Sequence, residues 1–151
     1  MGIKRKFKNR SFFIDTAPII YFMESNNPVY LGIMREFFKQ SSLIPFRIST
    51  SAITLTELLV KPYTKKRNDL IEKYKSLIID SKAINIFNID ANTGDKVAEL
   101  RALYNIKTPD ALQIASALNN KCDFFITNDL ALSRVTEIEV LSLNELQRNF
   151  T

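Results

Sequence analysis

The stretch Ser11-Phe12-Phe13-Ile14-Asp15-Thr16-Ala17-Pro18-Ile19-Ile20 decides how this chain is read. A short strand-like apolar run ends in a carboxylate. Thr16 and Pro18 then open a second apolar run with helix-start chemistry. A buried strand that delivers one Asp at its C-terminal end, against the start of a helix, is how open α/β sheets present functional groups. Far downstream, Asp123-Phe124-Phe125-Ile126-Thr127-Asn128-Asp129 echoes it. In one parallel sheet, Asp15 and Asp129 would emerge at the same edge.

Around these two stretches, strand-like and helix-like segments alternate. Val29 to Lys39 places apolar residues at i+4 spacing and predicts an amphipathic helix. Phe46 to Ser49 reads as a strand, Ser49 to Ser51 offer N-cap oxygens, and Ile53 to Val60 reads as a helix that Pro62 ends or kinks. Thr64 to Ile79 predicts a long basic amphipathic helix, so that a helical pair over Lys61 to Ile79 stands off the sheet. Ile84 to Phe87 predicts the third strand. Asp90 to Tyr104 reads as a helix, and another begins at Thr108-Pro109-Asp110 with Thr108 as N-cap. Phe124 to Thr127 and Ile138 to Leu141 complete five strands, and Ser142 caps a last helix. This alternation predicts an α/β fold with a parallel sheet flanked on both faces. The expected organisation is a basic, flexible segment over residues 1–10, then one domain over 11–151.

Composition narrows the chemistry. The chain has 151 residues, one cysteine, three glycines and no histidine. Intrachain disulfides, Cys-cluster zinc sites, His-dependent triads and glycine-rich phosphate cradles are therefore excluded. No apolar run approaches the roughly 18 residues that span a bilayer. The basic start is followed by Asp15 and Pro18 rather than by a cleavable leader, and the chain reads as cytoplasmic. Residues 1–75 hold 14 Lys and Arg against 6 Asp and Glu, whereas residues 76–151 hold 7 against 10. A basic half suits a polyanionic partner.

Four carboxylates stand out. Asp15 closes an apolar strand, although it also suits the N-cap of the following helix. Asp110, in a first helical turn, shares the side of Ile114 and Leu118. Glu57 lies among leucines. Thr54-x-x-Glu57 matches a capping box, but Ser51 and Ile53 imply that the helix has already begun. Asp129 follows the fourth strand, where an Asx turn or cap is the bland role. Asp123, at the other end of that strand, is read as a turn residue. Carboxylates that converge without Lys or His partners stay ionised at neutral pH only around a cation. All-oxygen ligation favours Mg²⁺ or Mn²⁺. Such a site suits hydrolysis of a phosphodiester, and with a basic half-surface this points to a nuclease.

The same residues resemble the PIN-domain family, in particular the VapC-type ribonucleases of prokaryotic toxin–antitoxin modules. Ile14-Asp15-Thr16-Ala17-Pro18-Ile19-Ile20-Tyr21 resembles its opening strand and first acidic residue. Asp110-Ala111-Leu112-Gln113-Ile114-Ala115-Ser116-Ala117 resembles the helix led by the third. Phe125-Ile126-Thr127-Asn128-Asp129 resembles the block bearing the fourth. Thr56-Glu57-Leu58 matches the second by type, spacing and order. The resemblance implies a three-layer fold with strand order 3-2-1-4-5, and Asp15, Glu57, Asp110 and Asp129 as metal ligands and catalytic residues around Mg²⁺ or Mn²⁺. It implies that Thr127 and Asn128 place water or a phosphate oxygen. It further implies an RNA substrate, a small antitoxin partner and a homodimer, with the Lys61 to Ile79 pair facing antitoxin or substrate. Phosphatases with an Asp-x-Asp nucleophile block are disfavoured by Ala17, and receiver domains by the lack of an acidic pair. A non-catalytic binding module and a processing nuclease that is not a toxin remain as alternatives.

Overall fold

A computed structural model describes residues 2–150, with side chains from residue 5 onward. Five parallel strands form one sheet in the order β3-β2-β1-β4-β5, with β1 Ser11–Ile14, β2 Arg47–Ser51, β3 Asn85–Phe87, β4 Phe124–Ile126 and β5 Glu139–Leu141. The helices are α1 Gly2–Phe7, α2 Thr16–Glu24, α3 Pro28–Leu43, α4 Ala52–Thr64, α5 Asn68–Lys75, α6 Ala91–Tyr104, α7 Thr108–Asn119 and α8 Leu143–Phe150. The chain leaves β1 toward β2 and β3 and later returns on the other side as β4 and β5. The gap between β1 and β4 is thus the topological switch point, where open α/β sheets form their crevices.

The echo between the two Phe-Phe-Ile runs is a pairing in register. Phe12 lies beside Phe124, Phe13 beside Phe125 and Ile14 beside Ile126. Side chains alternate across a strand, so each pair supplies one face. The rings of Phe12 and Phe124 stack at 4.9 Å on one side of the sheet. Those of Phe13 and Phe125 stack at 5.3 Å on the other. Two apolar cores follow. One gathers Ile14, Ile126, Met34, Phe37 and Tyr74, and the other Phe13, Phe125, Leu100 and Ile114. A central strand buried on both faces has no room for the polar alternation of an antiparallel sheet, which is why β4, and β1 after Ser11, are continuously apolar.

Several boundaries differ from the sequence reading. Pro62 does not end α4; the helix runs on to Thr64 with Pro62 buried. Proline has no N–H to offer the Leu58 carbonyl, a deficit that one turn from a helix end tolerates. The expected long helix from Thr64 starts instead at Asn68 and finishes in a wider π turn over Ser76–Asp80. Lys66 takes up a left-handed conformation (φ 53°) in the intervening turn. Thr108 is the first residue of α7 and not its cap; Lys107 takes that position without a side-chain hydrogen bond. Asp123 does lie at the opposite edge, where it accepts the Ser11 N–H at 2.9 Å and faces Arg10.

The largest departure is at the start of the chain. Residues 1–10 read as a flexible basic segment, and Met1 lies outside the described residues. Gly2–Phe7 nevertheless form α1, and Phe7 is 0% exposed. Its ring sits 4.9 Å from Phe12, 5.2 Å from Phe124 and 5.5 Å from Phe150. Lys6 lies over Phe124 and pairs with Glu139 at 2.9 Å. One aromatic residue among five cations closes the amino-terminal edge of the core. Phe7→Ala should therefore cost about 3–5 kcal/mol of stability, the usual range for a buried Phe. Lys8→Ala, at an exposed position, should stay within about 0.5 kcal/mol. Urea unfolding of both variants measures the difference, and equal midpoints would show that α1 adds nothing to the fold.

Candidate active site

Register delivers the site. Because Ile14 pairs with Ile126, the next residues, Asp15 and Thr127, leave the sheet side by side. The Asp15 N–H donates to the Ile126 carbonyl at 3.0 Å, and the Thr127 N–H to the Leu141 carbonyl at 3.0 Å. The Thr127 hydroxyl then donates to Asp15 Oδ2 at 2.8 Å. The other Asp15 oxygen, Oδ1, accepts the Thr16 N–H at 2.8 Å. Asp15 is thus the N-cap of α2 and a fixed carboxylate at the same time. Thr127 Oγ1 also accepts the Asp129 N–H at 3.1 Å, which shapes the turn out of β4. Asp129 caps the short 3-10 turn Leu130–Arg134 through Ala131 N–H.

Two helices bring the remaining carboxylates. α4 begins at Ala52 with Ser51 as its cap. Glu57 therefore lies in the second turn, and Thr54-x-x-Glu57 is not a capping box. Glu57 is exposed, and its Oε1 accepts from the Thr16 hydroxyl at 3.2 Å. Asp110 is half-buried in the first turn of α7 and makes no side-chain hydrogen bond among the described residues. Thr127 is buried. Asn128 does not join these groups; it lines a separate cleft with Tyr30, Ser142 and Arg148.

A buried polar network ties the helices to the strands. Thr50 is fully buried and gives its hydroxyl proton to the Ile14 carbonyl at 2.8 Å. Thr54 Oγ1 lies 2.7 Å from Thr50 Oγ1. Since Thr50 has only one proton, Thr54 donates to it. Gln113 Nε2 donates to Thr54, and Gln113 Oε1 accepts from Ser51. The chain runs from α7 through α4 and β2 to the last carbonyl of β1, one residue before Asp15. Sequence reading gave these residues no role beyond capping. Their only visible signal was a run of polar residues, Ser49-Thr50-Ser51, where a central strand should be apolar.

The electrostatics are those of unneutralised acids. None of the four carboxylates makes an ion pair within 4 Å among the described residues. Burial pushes Asp15 above the ordinary carboxylate range; the Thr16 N–H and Thr127 hydroxyl oppose this, and the charge of Asp129 adds to it. Asp110 is raised by desolvation and then by Asp15 and Asp129, with Lys107 acting the other way. Glu57 is raised by partial desolvation in the cleft; the Thr16 hydroxyl opposes this, and Asp15 and Asp110 reinforce it. Among the described residues no three acidic or cysteine side chains are drawn together tightly enough to enclose a metal ion as they stand. The donor chemistry nevertheless fits a hard divalent cation: the set is all oxygen, mutually repelling, and short of cationic partners.

These shifts carry a sign. A carboxyl raised in the native state binds more protons there than in the unfolded chain. Its contribution to stability is therefore lost as pH rises from the ordinary carboxylate range through the raised value. Asp15→Asn should raise the melting temperature of the metal-free protein at pH 7 by about 2–4 °C, the shift of ~1 kcal/mol at this chain length. The gain should be smaller at pH 4, nearer the ordinary carboxylate range. Calorimetry in a chelator at both pH values tests it, and no gain at pH 7 would contradict the electrostatic account. Gln113→Leu strands the Ser51 and Thr54 hydroxyls and should cost about 1–3 kcal/mol, read by urea unfolding.

The comparisons with known proteins agree with this geometry. No match was found among curated proteins. Among solved structures, a chain of VapBC2 from Rickettsia felis, bound to a promoter DNA fragment, superposes with a TM-score of 0.66 at 16% identity; the match covers 87% of this chain and 98% of that one. A toxin–antitoxin complex from Klebsiella pneumoniae gives 0.63 at 22%, covering 87% and 96%. VapC20 of Mycobacterium tuberculosis, described as a Sarcin-Ricin loop cleaving toxin, gives 0.64 at 13%, covering 85% and 98%. At these identities the likeness is one of fold. The PIN-domain family model, in contrast, matches residues 12–138, from the middle of β1 to the threshold of β5. That span takes in all four acidic positions, and the chain belongs to the PIN-domain family.

Proposed function

We propose that this chain is a Mg²⁺- or Mn²⁺-dependent endoribonuclease and the toxin of a type II toxin–antitoxin pair. One observation carries the reading. Asp15, Glu57, Asp110 and Asp129 come from four separate elements to the switch-point edge of the sheet, without an ion-pair partner within 4 Å among the described residues. Asp15, Glu57 and Asp110 are raised by desolvation and then by neighbouring carboxylates, an arrangement that a cation relieves.

In this reading the four carboxylates hold the ion. A divalent cation bound there supplies Lewis acidity toward a phosphodiester oxygen and acidifies a bound water. Thr127 holds Asp15 Oδ2 and Thr16 holds Glu57 Oε1, so each acid is oriented by a hydroxyl. That pre-positioning is what outer hydrogen bonds contribute around metal ligands. Histidine is absent, and the one cysteine, Cys122, is buried beside Ser11 at the opposite edge. In this reading water attacks the phosphodiester directly, with no covalent enzyme intermediate. The toxin assignment and the antitoxin draw support from the neighbours that are toxin–antitoxin complexes; the homodimer and the cytoplasmic setting rest on the family resemblance and on composition.

Purified protein should cut total cellular RNA into discrete fragments with Mg²⁺ or Mn²⁺ and fail to do so in EDTA. Asp15→Asn should lower the rate at least on the order of a thousand-fold, about 4 kcal/mol of transition-state stabilisation. Thr127→Val, which keeps the ligands and removes a supporting hydrogen bond, should cost about 10–100-fold. Expression should arrest growth, and a small neighbouring reading frame should relieve it. Wild-type rates in Asp15→Asn would refute the four-carboxylate site, and cleavage without growth arrest would leave a nuclease that is not a toxin.

A further inference from the structure

Asn128 stands between two residues of the acidic edge. Thr127, just before it, holds Asp15, and Asp129, just after it, caps the 3-10 turn Leu130–Arg134. Consecutive Cα atoms lie about 3.8 Å apart, so Asn128 is one residue step from each. It nevertheless lines a different cleft, of about 300 Å³, with Tyr30, Leu130, Ser142, Asn144, Glu145 and Arg148. The 3-10 turn separates the two spaces. Asp129, Ala131 and Leu132 line the side that holds Asp110, whereas Asn128 and Leu130 line the other.

Two of the lining residues serve the fold. Glu145 accepts the Ser142 N–H at 2.9 Å, and the Ser142 hydroxyl accepts the Glu145 N–H at 3.2 Å. This reciprocal cap starts α8 and engages the carboxylate of the cleft. The carboxamides of Asn128 and Asn144 are not engaged: neither makes a side-chain hydrogen bond among the described residues. Each offers two N–H donors beside an acceptor oxygen. An aromatic ring and an aliphatic side chain accompany them. The Tyr30 ring packs against Tyr21 with centroids 4.7 Å apart, which restrains it. Leu130 is 69% exposed, on a turn whose start Asp129 fixes.

Open carboxamides beside an aromatic ring suit an unstacked nucleobase. The ring takes the face of the base, and the paired donors and acceptors take its edge. Resting on the nuclease reading, we infer that this cleft receives one base of the RNA next to the scissile phosphate, and that Asn128 and Asn144 select which base it is. Asn128 is then a specificity residue and not one that places water, as its motif had suggested. The turn out of β4 works on both of its sides: Thr127 and Asp129 serve the acids, and the residue between them serves the base.

The test reads where the full-length protein cuts. An RNA pool with a short randomised single-stranded segment is incubated with it in Mg²⁺ or Mn²⁺, and the product ends are sequenced. Wild type should favour one base, at one fixed position beside the cut, by at least about tenfold, the scale of one well-made carboxamide contact to a base edge. Asn128→Ala and Asn144→Ala should each flatten that preference to about threefold or less, slowing favoured sites far more than disfavoured ones. Tyr30→Leu should slow all sites alike, because stacking accepts any base. A substrate lacking the base at that position should be cut at least about tenfold more slowly by wild type and suffer no such penalty with Asn128→Ala, since the two changes remove one contact. Asn144 is exposed, so its variant reports on the cleft even if Asn128→Ala lowers the melting temperature. Cleavage without base preference, a preference that survives both asparagine variants, or a penalty for the missing base that persists in full in Asn128→Ala would each overturn the base pocket while the nuclease stands. If wild type cleaves nothing with either metal, the nuclease reading falls and this inference falls with it.

Discussion

The pairing of β1 with β4 is the constraint from which the rest follows. Phe12, Phe13 and Ile14 lie in register with Phe124, Phe125 and Ile126. A slip of one residue would exchange the two faces of β4, sending Phe125 into the core of Phe124. It would also carry Thr127 away from Asp15 and dissolve the hydrogen bond that orients the first carboxylate. The aromatic stacking on either side of the sheet thus sets the geometry of the acidic edge, at a position where no aromatic residue is found.

The second level of organisation is polar. Ser51, Thr54, Thr50 and Gln113 are buried, and their hydrogen bonds run in one direction to the Ile14 carbonyl. A network of this kind is costly unless every member is satisfied, and satisfied networks specify a unique packing. Here it fixes the relation between α4, which bears Glu57, and α7, which bears Asp110. Hydrophobic contacts alone would let two helices slide over a sheet with little penalty. Directional bonds do not, and the acids that repel one another are thereby kept at one edge.

Much of this was legible in the residues. The strand order, the parallel sheet and the placement of Asp15, Asp110 and Asp129 at one edge follow from apolar runs that end in acids, because strand ends and helix starts leave local marks. Glu57 was harder, since Thr54-x-x-Glu57 imitates a cap, and only the start of α4 at Ala52 resolves it. α1 was missed because five cations outweigh one phenylalanine in any compositional reading, whereas burial of Phe7 depends on Phe12, Phe124 and Phe150, distant in sequence. The Gln113 network was missed for the same reason: threonine, serine and glutamine read as surface or caps until three elements meet around them. Pro62 misled because its missing hydrogen bond falls near a helix end, where the loss is small. Asn128 shares a motif with Thr127 and Asp129 but faces another cleft.

The bond between Thr127 and Asp15 joins residues 112 positions apart. Closing so long a loop precedes any reward from the contact, and topologies of this kind fold slowly. During synthesis, the first acid emerges early and the strand that completes its surroundings emerges near the end. A partly made chain can build β1, β2 and β3, but it has neither Thr127 nor Asp129. Whatever chemistry the acids perform is therefore withheld until the last quarter of the polypeptide has been made. The order of strands in the sheet thus delays assembly of the acidic edge until β4 has been made.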